Sequence, residues 1–158
     1  RPGTVCGFSK ALRLDLTVNA MTYDSIIKKK IVVNGGSQIR PQLHIDDMVN
    51  AYIFFLKKKK VGIYNIGFEN FSINKISKII KQNNKNCKIV KNRLNDIRSY
   101  RLNSDKLLKI GFKPNKNSFF AIKELIQIFK KKKKFNENSY RTKKLKKIFS
   151  RKQIAKFF

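Results

Sequence analysis

Apolar residues along the chain fall alternately into short continuous runs and into helical spacing, with glycine, serine, asparagine or aspartate between them. TVCG ends a short strand, and Asp15 is placed to cap a helix through LTVNAMTYDSIIK, where Leu16, Met21 and Ile27 are apolar. KIVVNGG reads as a strand closed by a glycine turn. Asp46 or Asp47 then caps MVNAYIFFL, with Met48, Ala51, Tyr52 and Phe55 on one face. VGIYNIG predicts another strand, and Ser72 precedes INKISKII, whose Ile73, Ile76, Ile79 and Ile80 repeat at helical intervals. CKIV predicts a strand, and Ser104 caps DKLLKI, which Gly111 stops. Ser118 caps a last helix over FFAIKELIQIF. Strand and helix by turns predict an α/β fold with at least some parallel sheet.

Charge divides this pattern near residue 130. Residues 1–129 hold 25 basic and 8 acidic side chains, whereas 130–158 hold 13 basic and one acidic, Glu137. The expected organisation is a body over 1–129 and a Lys-rich tail over 130–158, either helical or disordered. The formal charge of +29 comes from 30 Lys against 8 Arg, beside 20 Ile and 16 Asn but only 5 Ala. Lys, Ile and Asn have A/T-rich codons, so coding drift accounts for the skew without selection for a basic surface. Selection to grip phosphate would favour Arg, whose planar fork meets two oxygens at once. Non-specific attraction to polyanions at low salt is expected all the same. The longest apolar run, AYIFFL, is far short of a membrane span. The two isolated cysteines, Cys6 and Cys87, form no disulfide or metal pattern and suit a reducing cytoplasm. With no charged leader and apolar run at the start of the chain, we expect a cytoplasmic protein without a signal peptide.

The stretch SQIRPQLHIDD gathers the one histidine, two aspartates and an arginine set against proline. A base with an orienting acid would use such residues, and so would a metal site. However, His44 alternates with Leu43 and Ile45 as a strand residue does, and no second histidine exists. The aspartates stand where a helix begins and its amides need acceptors, so both are read as structural. Arg40 is the exception, because an arginine fixed before proline and a buried strand is oriented at some cost. Taken alone, Arg40 and Arg98 read as surface or ion-paired residues.

RPGTVCG, LDLTVNAM, KIVVNGGSQIRPQLHIDDMVNAYIFFL, GIYNIG and DIRSYRLNSDKLLKIGFKP follow one another in an order that resembles the C-terminal part of the NAD-dependent epimerase/dehydratase family. Those proteins are extended short-chain dehydrogenases/reductases acting on nucleotide sugars, and the resemblance covers roughly residues 1–129. It implies the C-terminal portion of a Rossmann-type fold, an incomplete parallel sheet with a small substrate-binding subdomain. By the resemblance, Pro2 and Gly3 pass the nicotinamide of NAD or NADP, and GIYNIG returns to the sheet as a last strand. Thr4 falls where many relatives carry an asparagine facing the substrate. Arg40 and Arg98 match arginines aimed at the nucleotide diphosphate, a role that suits fixed bidentate donors. Asn19 is expected to be an exposed helix residue, and Cys6 a small packed one.

The family's chemistry also needs a glycine-rich phosphate cradle and a Tyr-x-x-x-Lys pair. No GxxGxxG occurs, and Gly35-Gly36 is a tight turn. The one Tyr-x-x-x-Lys spacing, Tyr140 to Lys144, lies in the basic tail and is rejected as a chance match among many lysines. The expectation is therefore a substrate-binding part of an epimerase or dehydratase, inactive alone, whose partners are a nucleotide sugar and an N-terminal Rossmann portion. A basic polyanion-binding module and a degenerate non-catalytic remnant are the alternatives.

Overall fold

The computed structural model describes residues 1–10, 12–92 and 98–131. In chain order the elements are β1 (Thr4–Cys6), α1 (Thr17–Ile27), β2 (Lys30–Asn34), β3 (Ile39–His44), α2 (Ile45–Lys58), β4 (Glu69–Ser72), α3 (Ile73–Asn83), β5 (Lys88–Asn92), α4 (Asp105–Lys109) and α5 (Ser118–Lys131). The strands form two sheets. In the first, β3 lies between β1, parallel to it, and β4, antiparallel to it; in the second, β2 and β5 run parallel. The predicted α/β class with partial parallel sheet is what the structure holds. The antiparallel β4 is an addition, because ENFS lacks the apolar run that marks a strand.

Apolar side chains join these layers. Val18 and Met21 of α1, Ile76 and Ile80 of α3, and Ile122 and Ile126 of α5 pack with Ile31 and Val33 of β2 and with Cys6. On the far side Leu43 meets Ala51, Ile66, Leu107 and Phe112, so α2 and α4 cover the other face of β3. Tyr23 packs edge-on against Phe129, closing a third cluster with Leu12, Leu14 and Leu125. No helix among the described residues is long and apolar enough to cross a membrane.

Four of the five helix starts among the described residues depart from the sequence expectation. Asp15 does not cap α1; it pairs with both donors of the Arg13 fork at 3.1 and 2.8 Å, and Leu16 holds the cap position. His44, not an aspartate, caps α2, its Nδ1 accepting the Asp46 amide at 3.1 Å. Ser104 holds the cap position of α4, but its hydroxyl bonds the Gly67 amide and carbonyl instead. Asn117 rather than Ser118 caps α5, accepting the Phe120 amide at 2.9 Å. Ser72 does cap α3, through the Lys75 amide.

VGIYNIG is likewise not a strand. Ile66 alone bridges Pro2, receiving the Gly3 amide at 2.7 Å and donating to the Arg1 carbonyl at 2.9 Å. Two residues later the Phe68 amide already bonds Gln42 of β3, so the segment is handed from one strand to another too soon for a ladder. The charge boundary at 129/130 falls inside α5, and residues 132–158 lie outside the described residues.

Candidate functional site

Two clefts meet at Thr4, Leu16 and Tyr100, which line both. The larger, about 470 Å³, runs along Pro2, Gly3 and Val5 of the β1 segment, past Gly7 and Asn19, to Met48 of α2. The smaller, about 290 Å³, is lined by Arg40, Arg98, Asp15, Thr17 and Ile73. The structure thus brings Pro2, Gly3 and Thr4 to one cleft, and Thr4, Arg40 and Arg98 to its neighbour.

Both neighbouring and distant segments put these groups in place. Arg40 lies on β3 opposite Phe71 of β4 and is only 9 % exposed. One of its terminal nitrogens donates to the Ile39 carbonyl at 3.0 Å and also to the Arg98 carbonyl. The guanidinium lies over the Tyr100 ring, 5.5 Å from its centre. Arg98 is exposed on the segment that crosses the mouth of the smaller cleft. At the other wall α1 begins: Leu16, in the cap position, has no side-chain acceptor to cover the first-turn amides. The positive end of the helix dipole therefore lies at a cleft that already holds two arginines. Asp15 also lines this cleft, but its two carboxylate oxygens are engaged by Arg13. Two arginines and a helix start in one concavity give it a positive field that favours an anion.

Two further residues were not legible as part of the site. Asn19 is 3 % exposed, not an open helix residue. Its side chain clamps the end of β1 to the turn before α1, accepting from the Gly7 amide and donating to the Arg13 carbonyl, both at 3.1 Å. Tyr100 was in view within DIRSYRLN, two residues beyond Arg98, a spacing that puts both on one side of an extended segment. It stacks on Arg40 and divides the two clefts.

The histidine and aspartates of IRPQLHIDD hold the framework. Asp47 is fully buried and accepts the Asn115 and Lys116 amides, each at 2.9 Å. Asp46 pairs with the Lys116 ammonium at 2.6 Å, which holds its carboxyl below the usual carboxylate range. His44 is 1 % exposed, edge-on to Phe120, with Nε2 3.7 Å from Glu124; burial keeps its pKa below the ordinary value. Among the described residues no cluster of His, Cys, Asp and Glu is arranged to hold a metal.

Cys6 is the small packed residue expected, 1 % exposed. Burial, reinforced by the charge of Glu69, pushes its thiol up to about 12. Burial also raises the thiol of Cys87. Both should escape iodoacetamide at pH 8 in the folded protein and react once it is denatured, which intact-mass measurement would register.

The glycine pair at 35–36 is no phosphate cradle. Both φ angles are positive, 68° and 120°, but the Gly36 amide donates to Gln38 Oε1 and the Gly35 amide to the Asn92 carbonyl. A Cβ on Gly36 would overlap Asn74, so the glycine serves the close approach of α3. Gly3 is closely packed too, since a Cβ there would lie 3.1 Å from the Pro41 carbonyl oxygen, tighter than ordinary contact.

This arrangement is that of a Rossmann-type α/β fold, present in part. Residues 2–67 match the NAD dependent epimerase/dehydratase family. In fold it is similar to UDP-glucuronic acid 4-epimerase from Bacillus cereus in complex with UDP-glucuronic acid and NAD (22 % identity, TM-score 0.70, covering 83 % of this chain and 44 % of that one). It is also similar to UDP-N-acetylglucosamine 4-epimerase from Bacillus cereus (18 %, 0.71, covering 87 % and 47 %). RMD from Pseudomonas aeruginosa, complexed with NADPH, matches likewise (16 %, 0.71, covering 83 % and 47 %). The chain spans less than half the length of these structures.

Proposed function

We propose that the chain is the substrate-binding part of an NAD(P)-dependent nucleotide-sugar epimerase or dehydratase. The observation that carries this reading is the smaller cleft, where Thr4, Arg40, Arg98 and the start of α1 converge. A nucleoside diphosphate placed there meets two guanidinium groups and the positive end of a helix dipole, while Thr4 offers a hydroxyl toward the attached sugar.

The larger cleft suits one edge of NAD or NADP. Pro2 and Gly3 form a narrow wall without long side chains, and Leu16 and Met48 add apolar surface fitted to a nicotinamide face. When bound, such a cofactor supplies hydride exchange with the sugar. The described residues give it this wall, and the Gly35–Gly36 amides, spent internally, add no cradle for its pyrophosphate. The contribution of this chain is to bind and orient the sugar nucleotide beside that wall. Tyr140 and Lys144 lie outside the described residues. These 158 residues alone are accordingly expected to bind a nucleoside diphosphate without turning over a nucleotide sugar.

Titrating the chain with uridine diphosphate tests the binding. Arg98→Ala should weaken binding by about tenfold or more, the usual loss for a hydrogen bond to a charged group. Uridine itself should bind equally weakly to both proteins. Equal affinity of wild type and variant for the diphosphate would refute the assignment.

A further inference from the structure

Apolar side chains scattered singly over a surface carry no message, but a contiguous group of them does. Such a group lies at the C-terminal end of α2. Tyr52 and Leu56 are exposed one turn apart on that helix, Leu56 to 80 %. The helix ends at Lys59, whose φ of 48° turns the chain, and Gly62, with φ 125°, turns it again. On either side of that glycine Val61 and Ile63 stand out from the surface, Val61 being 93 % exposed. Tyr52, Val61 and Ile63 line one cleft of about 440 Å³, together with Phe55 and Tyr64. Cations surround this apolar surface. Lys60 and Arg1 line the cleft, and among the described residues that line it none is acidic. Lys57, Lys58 and Lys59 are exposed next to Leu56. The Lys106 ammonium lies over the Tyr64 ring, 4.6 Å from its centre.

We infer that the end of α2 and the turn at 60–63 form a docking surface for an anionic lipid bilayer, which the protein meets from outside and does not cross. This goes beyond the nucleotide-sugar reading and does not depend on it. Apolar side chains that enter the boundary between headgroups and acyl chains are stabilised in proportion to the area they bury. Lysines around them stay at headgroup level, with their stems on apolar surface and their ammonium groups among the anionic headgroups. A folded protein partner suits the surface less, because lysine is depleted where protein surfaces meet. A second copy of this chain suits it least, since a two-fold contact would bring two sets of the same lysines together.

Flotation of the whole chain with phosphatidylcholine vesicles, with and without phosphatidylserine, at about 0.15 M salt tests this. Binding should require phosphatidylserine. The double variant Leu56→Ser, Val61→Ser keeps every charge, those of the Lys-rich tail included. It should bind roughly tenfold or more weakly, as expected when two large apolar side chains are withdrawn from the acyl boundary. Circular dichroism checks that it keeps its fold. The sequence contains no tryptophan, so Val61→Trp supplies a single emission reporter. Its emission should move to the blue on anionic vesicles, a readout that stands apart from the folding of the double variant. Equal binding by wild type and a folded double variant, or a vesicle-bound Val61→Trp whose emission does not move, would show lipid held by charge alone and overturn the inference. A wild type that leaves the anionic vesicles unbound would overturn it too. So would self-association of the wild type in analytical ultracentrifugation that the double variant loses, because the surface would then belong to a second copy.

Discussion

Replacing Asp47 with alanine should destabilise the protein by about 3 kcal/mol or more. The carboxylate is fully buried and accepts two backbone amides, those of Asn115 and Lys116, at 2.9 Å each. Its removal takes away two hydrogen bonds to a charged acceptor, each contributing about 1.5–3 kcal/mol. The same bonds fix the loop that delivers the chain to α5, whose Ile122, Leu125 and Ile126 are core residues. Asp47→Asn retains one acceptor oxygen and should lie between wild type and alanine. Urea denaturation followed by circular dichroism measures all three. Asp46→Ala offers a contrast: its partner Lys116 is part-exposed, and such a pair contributes at most about 1 kcal/mol. Equal losses at the two positions would contradict the burial argument.

Stability should also fall as the solution is acidified below the ordinary histidine pKa near 6.5, because of His44. Burial holds its folded pKa below that value, against opposing contributions from Asp46 and Glu124. The unfolded chain therefore takes up a proton before the folded one does, and unfolding is favoured as pH drops through that window. Above it the imidazole is neutral in both states and the contribution is constant. Neutrality is also what the structure uses, since Nδ1 must keep a lone pair to accept the Asp46 amide. His44→Asn retains a cap acceptor but cannot titrate. It should be less stable at pH 8, by about 2–4 kcal/mol for the truncated and fully buried ring, and flat between pH 7 and 5.5. A wild type equally flat over that range would contradict the assignment.

Much of the fold is legible in the sequence because its signals are periodic. The isoleucines of INKISKII bury 73, 76 and 80 as their spacing requires. KIVVN alternates exposed and buried positions along β2. What the sequence hides is partner choice. Asp47 and Ser104 both have the chemistry of caps, and both spend it on distant segments. A cap residue is recognised locally, but which backbone it serves depends on where distant loops arrive. Arg40 shows the same limit at the site. Its residue type marks it for phosphate, whereas its place beneath Tyr100 is set by a segment nearly sixty residues away in sequence.

The central claim is that the cleft between Arg40, Arg98 and the start of α1 receives a nucleoside diphosphate, and backbone chemical-shift mapping tests it most directly. Uridine diphosphate added to the labelled chain at about 0.15 M salt should shift the amides of Thr17, Val18 and Tyr100 together. Lys57 to Lys60 and the lysines of β5 should stay still. Shifts spread over those lysines, with Thr17 and Tyr100 unmoved, would show a polyanion held by charge alone and would contradict the account.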